Sequence, residues 1–232
     1  MTLRSPVIAV LWENWRLTRT EIVWHLALGI VAASAVLVMF AAVAPNETVK
    51  DLGGVIALAL VVMPHIIGWV SINKLSFERP GFPFYLLYTR PVRTSVAVGV
   101  PMAYWAAASA ASYLVSALLL RITSGYAFPL LPVAAWIVAF SLSAAAVNWS
   151  IRNLVARTLG HLAVGVAWTG LAMHLLTVEE IPGPDVAPPH QWPTVFDLPL
   201  IYYVVMGAIG LASFGLTVAA VARQRRGDGQ TA

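Results

Sequence analysis

Six apolar runs fix most of what this chain can become. They cover residues 22–44, 52–72, 95–120, 127–149, 158–178 and 198–222. Each reaches the roughly 20 residues that a helix needs to cross about 30 Å of hydrocarbon. Helices satisfy their own backbone in lipid, so continuous apolar runs of this length predict helices. A membrane barrel would need alternating segments of about ten residues instead. The predicted fold class is therefore an all-α membrane protein with six transmembrane helices.

Composition agrees. The chain has 232 residues, 59% of them hydrophobic and only 10% charged. Its mean hydropathy is +0.80. A soluble domain carries about 25% charged residues, and a chain of this size would still need a polar surface in water. There is no cysteine, which excludes disulfides, thiolate metal sites and cysteine nucleophiles.

Lysine and arginine orient the spans. Arg4, Arg16 and Arg19 precede the first span. Lys74, Arg79, Arg90 and Arg93 follow the second, and Arg152 and Arg157 follow the fourth. Arg223, Arg225 and Arg226 follow the sixth. Only Lys50 and Arg121 fall on the other side. A split of twelve to two predicts both termini in the cytoplasm and a location in the cell (cytoplasmic or inner) membrane. The net charge of +4 is thereby accounted for without nucleic acid, since no basic stripe with interleaved aromatics lies outside the spans. The opposite side carries Glu47, Asp51, Glu179, Glu180, Asp185 and Asp197, which read as solvated loop charge. The first apolar run is longer than the 7–15 residues of a signal-peptide core, so it is expected to be retained despite Ala42, Val43 and Ala44 at its end.

Three regions lie outside the spans. Residues 1–21 are expected to form an amphipathic helix in the cytoplasmic interface. Ile8, Leu11, Trp12 and Trp15 share one face there, and Glu13, Arg16 and Thr20 another. The 22–222 bundle includes a cytoplasmic loop at 73–94 and a proline-rich external loop at 177–197, and residues 223–232 form a basic tail. No internal repeat is apparent.

Motifs for soluble catalysis are missing. There is no phosphate-binding G-x-x-x-x-G-K-[ST], no His-Glu-x-x-His and no G-x-S-x-G. No acidic residue falls well inside a span, which argues against an ion-coupled carboxylate site. The chain itself is expected to be no enzyme and to hold no metal. His25, His65, His161 and His174 fall within spans. They could ligate haem if paired across helices, or simply hydrogen-bond within the bundle. Pro64 and Pro101 could kink the second and third spans. Ala103, Ala107 and Ala111, and Gly160, Gly165 and Gly170, could let helices approach closely, within one bundle or across a dimer.

Two stretches carry a family resemblance. The run Leu11, Trp12, Glu13, Asn14, Trp15, Arg16, Leu17, Thr18, Arg19 resembles the N-terminal interfacial helix of ABC-2-type transporter permease subunits. Phe77 and Glu78, followed by Tyr88, Thr89, Arg90, Pro91, Val92, Arg93 and Thr94, resemble the family's cytoplasmic loop between helices two and three. Six helices and cytoplasmic termini are similar too. The chain departs from the family pattern at Pro80 and Gly81, where a coupling helix usually begins.

The resemblance implies an ATP-driven exporter's membrane subunit, acting as a homodimer or with a related permease subunit. A separate cytoplasmic ATP-binding subunit would bind ATP and Mg, so this chain would need no cofactor. The coupling loop would present Glu78, Arg79, Phe82, Phe84, Tyr85, Arg90 and Arg93, apolar anchors ringed by charge as docking surfaces are. Trp12, Glu13, Trp15 and Arg16 would belong to the interfacial helix. Two other readings stand beside it: a haem-binding electron-transfer subunit, and a non-transporting assembly subunit of a membrane complex.

Overall fold

A computed structural model describes residues 5–43, 53–54, 56–62, 92–124, 128–151, 154–177 and 200–226. Five long helices emerge: α1 (Pro6–Val43), α2 (Val100–Ser124), α3 (Leu130–Ser150), α4 (Leu154–Thr177) and α5 (Leu200–Arg226). Residues 53–54 and 56–62 are also helical, and a π-helical turn, Ser95–Gly99, leads into α2. Four stretches, Pro6–Val43, Ser95–Ser124, Leu130–Trp149 and Leu200–Arg223, are long and apolar enough to cross a membrane. A fifth apolar stretch, Thr158–Ala167, lies in α4.

The described segments alternate in direction. Gly53 abuts Phe40, while Ala57 and Val61 share a core with Ala33, so residues 53–62 run back along α1. Thr18 meets Tyr104 and Ala33 packs in one cluster with Ala110 and Ala117, so α2 runs parallel to α1. Tyr113 of α2 reaches Pro129 at the start of α3 across a short connection, which makes that pair antiparallel. Gly160 of α4 sits against Val147 and Ile151 at the end of α3, a second hairpin. In α5, Tyr202 meets Pro132 and Ser213 meets Ser143, an equal step of eleven residues on each helix, so α3 and α5 are parallel.

The helix α3 is central and packs on α2, α4 and α5. Its buried positions are mostly small: Ala134, Ala139, Ala144 and Ala145. Small side chains let backbones approach, which is how helices gain packing contact when lipid removes the hydrophobic drive. Gly210 of α5 exploits this, since a Cβ there would lie 3.2 Å from Leu142 Cδ1 and 3.7 Å from the Ala139 backbone. Large apolar side chains point outward instead, among them Val31, Val38, Ile122, Val166, Leu211 and Leu216. A soluble monomer rarely exposes so much apolar surface; a bundle solvated by acyl chains must.

Several expectations change. No helix end separates residues 1–21 from the first span, because α1 is continuous from Pro6 to Val43. Pro6 suits the first turn, and neither glycine nor proline follows before Gly29 to interrupt the helix. At 1.5 Å per residue its 38 residues extend about 57 Å, nearly twice the hydrocarbon thickness. The stripe Ala103, Ala107, Ala111 is exposed rather than packed within the chain. Gly160 does pack closely, whereas Gly165 and Gly170 face open space. Pro101 lies one residue beyond the π-helical turn at the start of α2, so any distortion falls at the end of that span. The bulk of the second span, with Pro64 and His65, the 177–197 loop and the tail beyond 226 lie outside the described residues.

Candidate functional site

The first of the two family-like stretches, residues 11–19, packs on α2 near the start of that helix. In α1, Asn14 Nδ2 donates to the Val10 carbonyl at 2.8 Å, and Thr18 Oγ1 donates to the Asn14 carbonyl at 2.7 Å. Thr18 Oγ1 also lies 2.8 Å from Tyr104 Oη in α2. A threonine hydroxyl has a single hydrogen, already committed to Asn14, so the tyrosine is the donor in this bridge. Thr18 is only 4% exposed, and with Gly29 and Ala33 it forms the buried line of α1.

An open groove runs past that bridge. Val7 and Leu11 on one side, and Val100, Ala103, Ala107 and Ala111 on the other, line an open apolar groove of about 590 Å³. Val7, Leu11, Asn14 and Thr18 recur at four, three and four residues, so they mark the face that α1 turns toward α2. Of the apolar face expected at Ile8, Leu11, Trp12 and Trp15, Leu11 lines the groove and the other three are exposed. Trp12 is 55% and Trp15 45% exposed, as indoles at a membrane interface or a docking surface would be. Glu13 and Arg16 pair with each other at 2.9 Å on the exposed side.

The polypeptide enters α2 through mixed helical registers. The Arg93 carbonyl accepts from both Val96 N and Ala97 N at 3.0 Å, and the π-helical turn Ser95–Gly99 follows at once. Pro101 supplies a reason. It cannot donate to the carbonyl of Ala97, four residues earlier, and its ring crowds that position in an α-helix. The wider turn relieves this crowding. The turn contacts α1, α2 and α5. A Cβ on Gly99 would come within 2.8 Å of Phe214 Cζ in α5, so only glycine lets the backbone approach that ring.

A second polar feature lies between α3 and α5. Ser143 and Ser213 hydroxyls are 3.2 Å apart, and fully buried Thr217 donates to the Ser213 carbonyl at 2.7 Å. Asn148 is 4% exposed, and its Nδ2 has no acceptor among the described residues. His161 and His25 are half-buried in α4 and α1. No group of three or more metal-ligating side chains occurs among the described residues.

Of the sequence-predicted loop residues, Arg93 is exposed at the mouth of α2. Glu78, Arg79, Phe82, Phe84, Tyr85 and Arg90 lie outside the described residues. Sequence reasoning missed Thr18, Tyr104, Gly99 and Phe214. Gly99, Val100 and Pro101 in succession could have flagged the turn. Nothing local marks Thr18 and Tyr104, which are 86 positions apart.

Comparisons with protein-family models, with curated proteins and with solved structures find no match. The class that the fold defines is an all-helical membrane protein.

Proposed function

We propose that this chain is the membrane-spanning subunit of an ATP-driven exporter of the ABC-2 type, with six transmembrane helices and both termini in the cytoplasm. The observation that supports the reading is the contact of the first family-like stretch with the helix that the second one precedes. Residues 11–19 join α2 through Thr18 and Tyr104, eleven residues after Arg93. A permease without its own ATPase needs a cytoplasmic lever that a partner can push. Here the long loop at 73–94 feeds directly into a helix that also grips the projecting half of α1. The alternating direction of the described helices favours the six-span count, since spans one and three can be parallel only if the chain returns between them.

In this reading Phe82, Phe84 and Tyr85 are apolar anchors, and Glu78, Arg79, Arg90 and Arg93 supply a charged rim for a cytoplasmic ATP-binding subunit. ATP and Mg bind in that partner. Two membrane subunits, alike or related, enclose the substrate path. The test is copurification. Tagged chain from its native membrane is expected to retain a Walker-motif ATPase stoichiometrically, and Phe84→Ala or Tyr85→Ala to weaken it about thirtyfold, the effect of losing roughly 2 kcal/mol at an interface anchor. Absence of any ATPase from the wild-type preparation would remove the mechanical basis of the reading and leave an assembly subunit in its place.

A further inference from the structure

We propose that the π-helical turn Ser95–Gly99 is a register switch, able to tighten into an α-helical turn and so rotate the Arg93 end of this span relative to α5. Four observations carry it. Three hydrogen-bond registers meet within eight residues: the Arg93 carbonyl serves both the three- and four-residue spacings, the π turn the five-residue spacing. A π turn inside an α-helix holds one residue more than the α-helix needs, and such turns occur at functional hinges. Pro101 disfavours the plain α register just there, bringing the two windings closer in free energy than in an uninterrupted helix. Of the three buried residues of the turn, Ala97 and Gly99 are small beside Val98, and Gly99 has no side chain to sweep across the Phe214 ring 2.8 Å from its Cβ position.

The position makes the motion consequential. The turn touches α1, α2 and α5, so rewinding it shifts the contacts of three helices together. Only loop precedes Arg93 in the predicted topology, so the extra residue can pass into that loop without breaking another helix. The switch is a property of this chain alone. Its use, converting movement of the 73–94 loop into movement of α2 against α5, rests on the permease reading.

The absence of cysteine allows a direct test, because introduced thiols are unique. Spin labels at Ser95→Cys and Leu216→Cys, both exposed, report the distance from the turn to α5 in purified full-length chain in lipid nanodiscs. Two distance populations are expected, separated by about 5 Å, the radius of a helix with its side chains. Deletion of Val96 removes the extra residue and is expected to collapse them to one. Gly99→Ala is expected to do the same by blocking passage at the ring, and Phe214→Leu added to it to restore both. Circular dichroism confirms that each variant is folded. A single narrow population in wild type, unchanged by either variant, overturns the switch and leaves the permease reading intact. ATPase copurification, which tests that reading, does not depend on the turn.

Discussion

The two ends of the bundle are built differently. At the end where α3 begins, two buried phenols from different helices converge on one segment. Tyr113 of α2 donates to the Pro129 carbonyl at 2.7 Å, and Tyr202 of α5 donates to the Pro132 carbonyl at 2.8 Å. Trp136 and Phe140 stack just beyond, with ring centroids 5.3 Å apart. Proline fixes φ, so these carbonyls stand on stiff backbone and the phenols tie α2 and α5 to it. At the other end the Thr18–Tyr104 bridge joins α1 and α2 beside an open apolar groove, and the start of α2 winds in mixed registers. One end is pinned by buried directional bonds to rigid groups. The other is joined by a hydroxyl bridge, and its turn packs small Ala97 and Gly99 beside fully buried Val98.

The largest effect should come from overfilling the pinned end. A Cβ on Gly53 would lie 2.6 Å from Phe40 Cγ and 2.7 Å from Phe40 Cβ, the end of that side chain nearest its own backbone. Gly53→Val is expected to cost about 1–3 kcal/mol, the range for overpacked cores, in unfolding free energy measured by steric trapping in bilayers. Gly165→Val, facing open space, serves as its control and should cost much less. Equal losses would show that the tight contact at Gly53 carries no weight. Next, Tyr202→Phe removes one buried donor while keeping the ring, and about 1 kcal/mol is expected. Loss of less than the Tyr104→Phe variant would reverse the ranking of the two ends.

Much of this architecture is legible in the sequence, for a physical reason. Lipid demands long apolar helices, so hydropathy alone marks the stretches that became α1 to α5, with ends displaced by a few residues except at the start of α1, which lies sixteen residues earlier. Pairing is harder to read. Periodicity put Trp12 and Trp15 on the membrane-facing side of α1 with their indoles at headgroup depth, and both are exposed. In a bilayer interface an exposed indole is stable, and the packed line passes through Thr18, Gly29 and Ala33 instead. Small and hydroxylic residues dominate the contacts, and their spacing is too common to point to a partner. Gly160 packs while Gly165 and Gly170 do not, though all three looked equivalent. The candidate site was half legible: residues 11–19 could be named, but not the Thr18–Tyr104 bridge that ties them to α2.

The hydroxyl-bridged end makes its own prediction. A double-mutant cycle with Thr18→Val and Tyr104→Phe should return a coupling near 0.6 kcal/mol, the average for hydrogen bonds between membrane helices. A coupling above about 1.7 kcal/mol, the upper end of that range, would mean that α1 is pinned here as firmly as α3 is at the opposite end. The contrast between the ends would then dissolve.

The smallest effect is expected at Glu13 and Arg16, and it discriminates most finely. They form an exposed pair one helical turn apart, 2.9 Å between nitrogen and oxygen. Such pairs contribute about 0.2–0.5 kcal/mol to a helix and weaken as salt rises. Glu13→Gln should therefore change unfolding free energy by no more than that, and the change should vanish near 1 M salt. The argument depends on water reaching both groups. If a partner covered this face, the pair would be desolvated, and removing one member would leave the other charge buried without compensation, at a cost of several kcal/mol. The measurement thus separates two states of the same surface. A small, salt-sensitive loss in the isolated chain, growing to a large, salt-resistant one when a cytoplasmic subunit is bound, would identify the projecting half of α1 as part of the docking surface. A small loss in both would leave Trp12, Glu13, Trp15 and Arg16 in contact with solvent and lipid headgroups alone, and would confine docking to the 73–94 loop.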